Sequence, residues 1–356
     1  MKTLRGRGGA MKFVRIGLFV IGGIAVCLGI ILASLMLVRD DLSSFDSYFV
    51  ASEATADPAI TVRYMGNTNL LISDGTTTLL TDGWFSRPST SDLLFGKIGP
   101  DMDAISDAMS KGVIADVAAV IPVHSHYDHA MDSPEVARRT GALLVGSEST
   151  ANIGRGWGLP EDQIRVVGSE EPIRFGGFTV TLIKSQHFQF PDPDMAAAAL
   201  EDPVISEPLI PPVSALDYKM GGAYSVHIAH PLGTLLLQGS AGYLTGALDE
   251  YRADVVILGV GGVAAQTASY QQDYWEQIVR VLRPERVFPV HWDSLTDPLQ
   301  DEPVMPNLLW SRVLDFQAEA GVNYALAHAR DDGIDAALFP MWEEVVLFTG
   351  EKNPNQ

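Results

Sequence analysis

The alternation of apolar and polar positions divides the chain into one long unbroken apolar run and a body of short, turn-bounded segments. Residues 16–38 carry no charge, a run too long for a core strand and of the length that crosses a bilayer. Residues 39–59 are mixed and weakly periodic and read as a stalk. From Ile60 the pattern becomes that of strands. Short apolar or β-branched runs at 61–65, 69–73 and 77–81 are separated by Gly66-Asn67 and by the tight-turn pair Asp74-Gly75. Met102, Ile105 and Met109 fall on one face of a helix over 101–112, and 115–123 is a buried strand. Asp132 or Ser133 caps the next helix, with Pro134 in its first turn and Gly141 after its end. Strands follow at 142–146, 163–167 and 178–183, with helix and loop over 147–160. A hairpin at 222–228 and 234–238 turns at Pro231-Leu232-Gly233. It is followed by a strand at 255–260, a helix at 270–282, a strand at 286–290 and a helix over 308–320. Strands alternating with helices make the body α/β in character.

Charge changes the picture at both ends. The formal net charge is −20. The first 38 residues hold Lys2, Arg5, Arg7, Lys12 and Arg15 and no acid, so the remainder is five charges more negative. Such an acidic body argues against nucleic acid as substrate or partner, since binding a polyanion needs a basic surface, and leaves room for a locally basic pocket. The basic flank precedes the apolar run, and Arg39-Asp40-Asp41 follows it. The positive-inside rule then puts tail 1–15 in the cytoplasm, anchor 16–38 in the membrane and the body outside the cytoplasm. A cleaved signal would have a shorter apolar core and an adjacent small-residue site; here Ala54-Thr55-Ala56 lies well past the run. Cys27, the only cysteine, is inside the run, so neither disulfides nor thiolate metal ligands are expected. Tail 349–356 completes the chain.

Candidate chemistry concentrates where strand 115–123 ends, in His124-Ser125-His126-Tyr127-Asp128-His129. Three of the eight histidines of the chain fall within these six positions. His124 and His126, two apart, share a face of the strand. Imidazole nitrogen with carboxylate oxygen suits zinc, iron or manganese at a catalytic site. His187 and His291 each stand at the end of a later strand. His227, mid-strand, and His230, beside the hairpin turn, read as structural. The 259–262 loop is glycine-rich but lacks a phosphate-binding fingerprint. Six prolines between 191 and 212 mark a long loop rooted beside His187, a reading that fits a lid or a surface insertion.

The order His-x-His-x-Asp-His resembles the signature of the metallo-β-lactamase fold superfamily. Strand-terminal Asp82, His187 and His291 resemble its flanking motifs. The resemblance covers roughly residues 60–348 and implies an αββα sandwich in one domain. It implies one metal held by His124, His126 and His187, and a second by Asp128, His129 and His291, with Asp82 supporting the ligands from behind. Ser240 stands where the family usually places an aspartate that bridges the metals. Zinc is the expected ion, one or two per chain, with iron or manganese compatible. The implied reaction is hydrolysis of an ester, lactone, amide or phosphodiester, with Asp128 orienting the attacking water. The 61–88 region and Pro289-Val290-His291-Trp292 look closest to ascorbate-6-phosphate lactonase-like and N-acylphosphatidylethanolamine phospholipase D-like proteins. A small-molecule or lipid-derived substrate is therefore expected, and an anchor suits it. The competing expectation is a non-catalytic metal-binding envelope protein descended from such an enzyme. Ser240 favours that alternative and six intact ligands oppose it.

Overall fold

A computed structural model describes residues 7–51, 58–168, 170–190, 193–200, 203–314 and 316–350. The extreme tails, stalk residues 52–57 and loop residues 191–192 and 201–202 lie outside the described residues.

Fourteen strands form two seven-stranded sheets. They are β1 (Ala59–Tyr64), β2 (Leu70–Ser73), β3 (Thr78–Thr81), β4 (Val117–Ile121), β5 (Leu143–Gly146), β6 (Ile164–Val166) and β7 (Pro172–Phe175). There follow β8 (Phe178–Ser185), β9 (Ala223–His230), β10 (Gly233–Gln238), β11 (Val255–Gly259), β12 (Arg286–Val290), β13 (Asp335–Ala336) and β14 (Glu344–Thr349). The first sheet runs β14-β1-β2-β3-β4-β5-β6 and the second β13-β12-β11-β10-β9-β8-β7. Each half joins an antiparallel meander to a parallel run, β3 to β6 in one and β10 to β13 in the other.

Apolar side chains alternate between the layers. In β11, Val255 and Ile257 enter the core between the sheets, while Val256 and Leu258 enter the core beneath the helices. Both faces are buried, which explains the continuous apolar run. In β4 the register slips at Ala118, because Thr78 pairs with Val117 and the next residue, Leu79, with Ala119. This bulge turns Ala119 and Ile121 to the sheet–sheet core and Val117 and Val120 to the helix side. Helices Met102–Lys111 and Ser133–Thr140 cover the first sheet, and Ala268–Trp275 and Ala318–Asp332 the second. The result is the expected helix–sheet–sheet–helix order.

Several local expectations are corrected. Among the described residues no single helix spans 308–320. A π-helical turn, Leu309–Val313, occupies part of it, and the long helix is Ala318–Asp332. Val313, at the end of that turn, is exposed. The true packing face is built of small residues, Ala318, Val322, Ala325 and Ala329, all fully buried. Asp132 precedes its helix but does not cap it with its side chain; its carboxylate is used elsewhere. The segment read as a stalk is partly docked: Ser43–Tyr48 forms a 3-10 helix whose Phe45 is buried in the core. The described parts of the 191–216 stretch are also structured. They hold helix Pro193–Leu200, and Leu209 N–H donates to Asn152 O at 3.0 Å.

The N-terminal helix runs Arg7–Leu37, starting within the basic tail. Its Arg15–Leu37 portion is the one span among the described residues long and apolar enough to cross a membrane, and none of it is buried against the body.

Candidate metal centre

Four strand ends converge on one edge of the sandwich. β4 delivers the His124–His129 segment, β3 Asp82, β8 His187 and β12 His291. Ligand sites outside the carboxyl ends of parallel strands are the rule in open α/β sheets.

His124, His126 and His187 bring their ring nitrogens together. Asp128, His129 and His291 likewise converge, each trio having ligand atoms within 4.8 Å of one another. His124 Nε2 lies 3.0 Å from His126 Nδ1. Asp128 Oδ2 lies 3.4 Å from His129 Nε2 and 3.3 Å from His291 Nε2. A tetrahedral ion with nitrogen and oxygen ligands at about 2.0–2.2 Å would set those atoms roughly 3.3 Å apart. The donor set therefore fits a first-row cation in each trio. His129 Nε2 is buried without a hydrogen-bond partner, as expected of an atom facing a cation.

In His129 and His187 the opposite ring nitrogen is fixed by neighbours, whereas the buried Nδ1 atoms of His124 and His291 have no hydrogen-bond partner. His129 Nδ1 stands 2.8 Å from Asp82 Oδ2 and 3.1 Å from Thr68 Oγ1. The carboxylate accepts a hydrogen bond from Nδ1–H and leaves Nε2 free to ligate. His187 Nδ1 meets Phe188 O at 2.9 Å, which leaves its Nε2 free in the same way. Asp82 is anchored in turn: its Oδ1 accepts Val123 N–H at 3.0 Å and its Oδ2 accepts the Thr68 hydroxyl.

Electrostatics follows from burial. Burial, reinforced by His129 and His126, holds His124 well below the ordinary imidazole value, so its ring is neutral. Burial acts the same way on His187, with His126 adding to it. Burial pushes Asp128 up, but His129 and His291 outweigh it and keep the carboxyl ionised well below its ordinary range. Burial pushes His129 down, and Asp128 and Asp82 overcome that, so this corner favours a positive charge.

Ser240 is buried at the end of β10, where its Oγ accepts Phe188 N–H at 3.3 Å. No carboxylate from that turn joins either trio among the described residues, and Asp249 is exposed. His227 Nε2 lies 2.9 Å from Arg252 O and His230 Nε2 lies 3.4 Å from Asp74 Oδ2, both outside the trios.

Sequence reasoning missed the buried support on the β1–β2 turn. Asn67 Nδ2 donates to the Asp128 carbonyl at 2.5 Å, and Asn67 O accepts His291 N–H at 3.0 Å. One residue thus ties together the backbones of two ligands. Its own N–H donates to Asp293 Oδ1 at 2.6 Å, which also accepts Tyr64 Oη–H at 2.9 Å. Arg87 lies 3.4 Å from Asp293 Oδ2 and stacks on Trp84. Asn67, Asp82 and His291 all have positive φ, 54°, 53° and 59°. Strained backbone in one cluster marks a site whose geometry is over-determined. A signal was present: Asn67-Thr68-Asn69, polar yet flanked by core strands, is wholly buried. Asp132 belongs to the same support. Its carboxylate accepts the N–H groups of Phe85 and Ser86 at 2.7 and 2.6 Å, which shapes the segment after β3.

A cavity of about 520 Å³ opens on His187. Lys184, Gln186, Met220, Tyr224 and Leu200 line it, the last from helix Pro193–Leu200. The 191–216 segment therefore borders the site.

The layers, the converging strand ends and the two trios define a metallo-β-lactamase-fold protein. A family profile described as a beta-lactamase superfamily domain matches residues 61–291. A UPF0173 metal-dependent hydrolase of Pyrobaculum arsenaticum is 24% identical over 249 residues, 67% of this chain and 87% of that protein. Among solved structures, the metallo hydrolase Igni18 of Ignicoccus hospitalis covers 82% of this chain and 99% of its own, at 15% identity and TM-score 0.48. The diiron β-hydroxylase CmlA of Streptomyces venezuelae covers 83% and 55%, at 13% identity and TM-score 0.48. The chain belongs to the beta-lactamase superfamily.

Proposed function

We propose that this chain is a membrane-anchored hydrolase that uses two metal ions, zinc in the first instance, to cleave an ester, lactone, amide or phosphodiester. The observation that carries the reading is the pair of three-ligand groups with spacings that suit one first-row cation each. Iron and manganese suit the same donors, since ligand type alone does not separate them. When bound, such ions supply Lewis acidity, polarising a substrate oxygen and lowering the pKa of water to about 7.

The chain's own residues do the rest. His124, His126 and His187 present neutral imidazoles from one side of the cleft. Asp128, held ionised between His129 and His291, keeps one carboxylate oxygen to accept a proton from the attacking water and so aim its lone pair. Asp82 and Thr68 lock His129, and Asn67 locks the backbones of Asp128 and His291. The cavity beside His187, lined by Lys184, Tyr224, Met220 and Leu200, offers room for a substrate with a polar head and an apolar portion. A lipid-derived or small amphiphilic molecule outside the cytoplasm suits that lining and the anchor.

The reading is tested on the full-length protein with a generic phosphodiester and a lactone. Hydrolysis of one of them, abolished by a chelator and reduced at least about 100-fold in Asp128→Ala, is expected if positioning and proton acceptance both reside there. Metal uptake with no turnover of either substrate, and no effect of His187→Ala on anything but metal retention, would favour the non-catalytic binder instead.

A further inference from the structure

Large apolar side chains stand in solvent on three segments that the fold brings together. Leu94 and Phe95 end the short helix Thr90–Phe95, Ile210 and Leu216 lie on the 203–217 segment, and Val313 closes the turn Leu309–Val313. Phe95 is 89% exposed and Ile210 70%. Backbone pairing of Ile98 with Val213, at 2.7 and 3.0 Å, joins the first two segments. Trp310 Nε1–H donates to Thr90 Oγ1 at 3.0 Å and joins the third. Leu93, on the same short helix, is packed against the core. The outward positions, where polar residues are the ordinary choice, are instead Leu94 and Phe95.

The same turn holds the exit of the apolar N-terminal helix. Leu308 N–H donates to Val38 O at 2.9 Å, Arg39 pairs with Asn307, and Ser311 Oγ–H donates to the Asp40 carboxylate at 2.6 Å. The body is therefore fastened at the point where the span ends, and the segments that carry the patch are linked to that same turn.

We propose that this patch docks into the headgroup–acyl boundary of the lipid bilayer. The proposal rests on the reading that Arg15–Leu37 spans the membrane. Continuity with the span selects lipid as the occupant, because the exposed residues sit on the segments tied to its last turn. Lys97, exposed two residues beyond Phe95, gives the rim a cation for lipid phosphate in an otherwise acidic body. Docking also orients the site. The 203–217 segment follows helix Pro193–Leu200, whose Leu200 lines the cavity beside His187. The cavity mouth is thereby held near the bilayer surface, where an amphiphilic substrate resides.

The test uses full-length protein in phosphatidylcholine–phosphatidylglycerol nanodiscs, in a Cys27→Ser background, with nitroxide labels at Leu28→Cys, Phe95→Cys, Ile210→Cys and, as a solvent control, Val113→Cys. Collision rates with oxygen and with a neutral nickel chelate are compared. Labels at 28, 95 and 210 are expected to favour oxygen several-fold, and the label at 113 to favour nickel. Oxygen preference at 28 with nickel preference at 95 and 210 would overturn the docking and leave the anchor standing. Nickel preference at 28 would overturn the anchor and the docking with it. Shielding at 95 and 210 from both reagents, with spin–spin broadening, would place a second copy on the patch and overturn the lipid assignment.

Discussion

Asp82 holds a left-handed backbone conformation because its carboxylate is needed at three places at once, on Val123 N–H, Thr68 Oγ and His129 Nδ1. Removing it frees the His129 ring. Asp82→Ala is expected to weaken metal retention about 10- to 100-fold, read by competition with a chromogenic chelator, as for other partners that orient ligands. An unchanged affinity would mean that Asp82 supports the fold and not the ligand. Asn67 allows a sharper comparison, because its left-handed conformation and its side-chain hydrogen bond make separate contributions. Asn67→Ala loses the bond to the Asp128 carbonyl and also strains the backbone, a combined cost of about 2 kcal/mol. Asn67→Gly loses the bond but keeps the conformation at ease. Thermal unfolding should therefore rank wild type above Gly and Gly above Ala. A glycine variant no better than alanine would show that backbone strain is not what Asn67 relieves. The candidate ligands themselves were legible because four fall in one short stretch and two at strand ends. Asn67, Thr68 and Asp293 were not, since their roles depend on contacts across more than 60 residues of chain for Asn67–Asp128 and more than 220 for Asn67–Asp293.

Among the elements, helix Glu148–Trp157 carries a glycine that propensity alone would replace. Alanine in a helix interior is worth about 0.5–1 kcal/mol over glycine. Gly156, however, lies under the 203–213 segment, and a Cβ there would meet Leu209 O at 1.8 Å. Gly156→Ala is expected to lower the melting temperature and loosen that segment toward proteolysis. A rise would contradict the packing. Glu135 links this helix to its neighbour. It accepts from Arg138 Nε at 2.8 Å, Arg139 Nε at 2.6 Å and Trp157 Nε1 at 2.9 Å. Burial raises its pKa, but these donors outweigh that and hold it down to about 2, against 4.5 for a free carboxyl. Between those values the unfolded chain binds a proton that the folded chain does not, so the stabilisation is complete above about pH 4.5 and is lost as pH falls toward 2. With Arg138 half exposed, about 1–2 kcal/mol is a fair magnitude. Denaturation of Glu135→Gln beside wild type should show a gap that narrows across that window; a constant gap would refute the assignment. Strand and helix order was legible from period and turn residues. The alanine-rich Ala318–Asp332 helix was not, because its buried face is small and not strongly apolar. The pairing of β14 with β1 was equally hidden, since it joins the two ends of the domain.

For the whole molecule, one edge of a two-sheet sandwich gathers six candidate ligands from both halves of the chain, and an apolar helix stands outside the fold. On the proposed function each trio holds its own ion, with Ser240 tolerated where the family resemblance places a bridging carboxylate. Elemental analysis of the intact purified protein tests it directly. Two ions per chain are expected, falling to one in His291→Ala and to one in His187→Ala, each variant remaining folded by circular dichroism. A chain that binds no metal, or that keeps its full complement in both variants, would contradict the account.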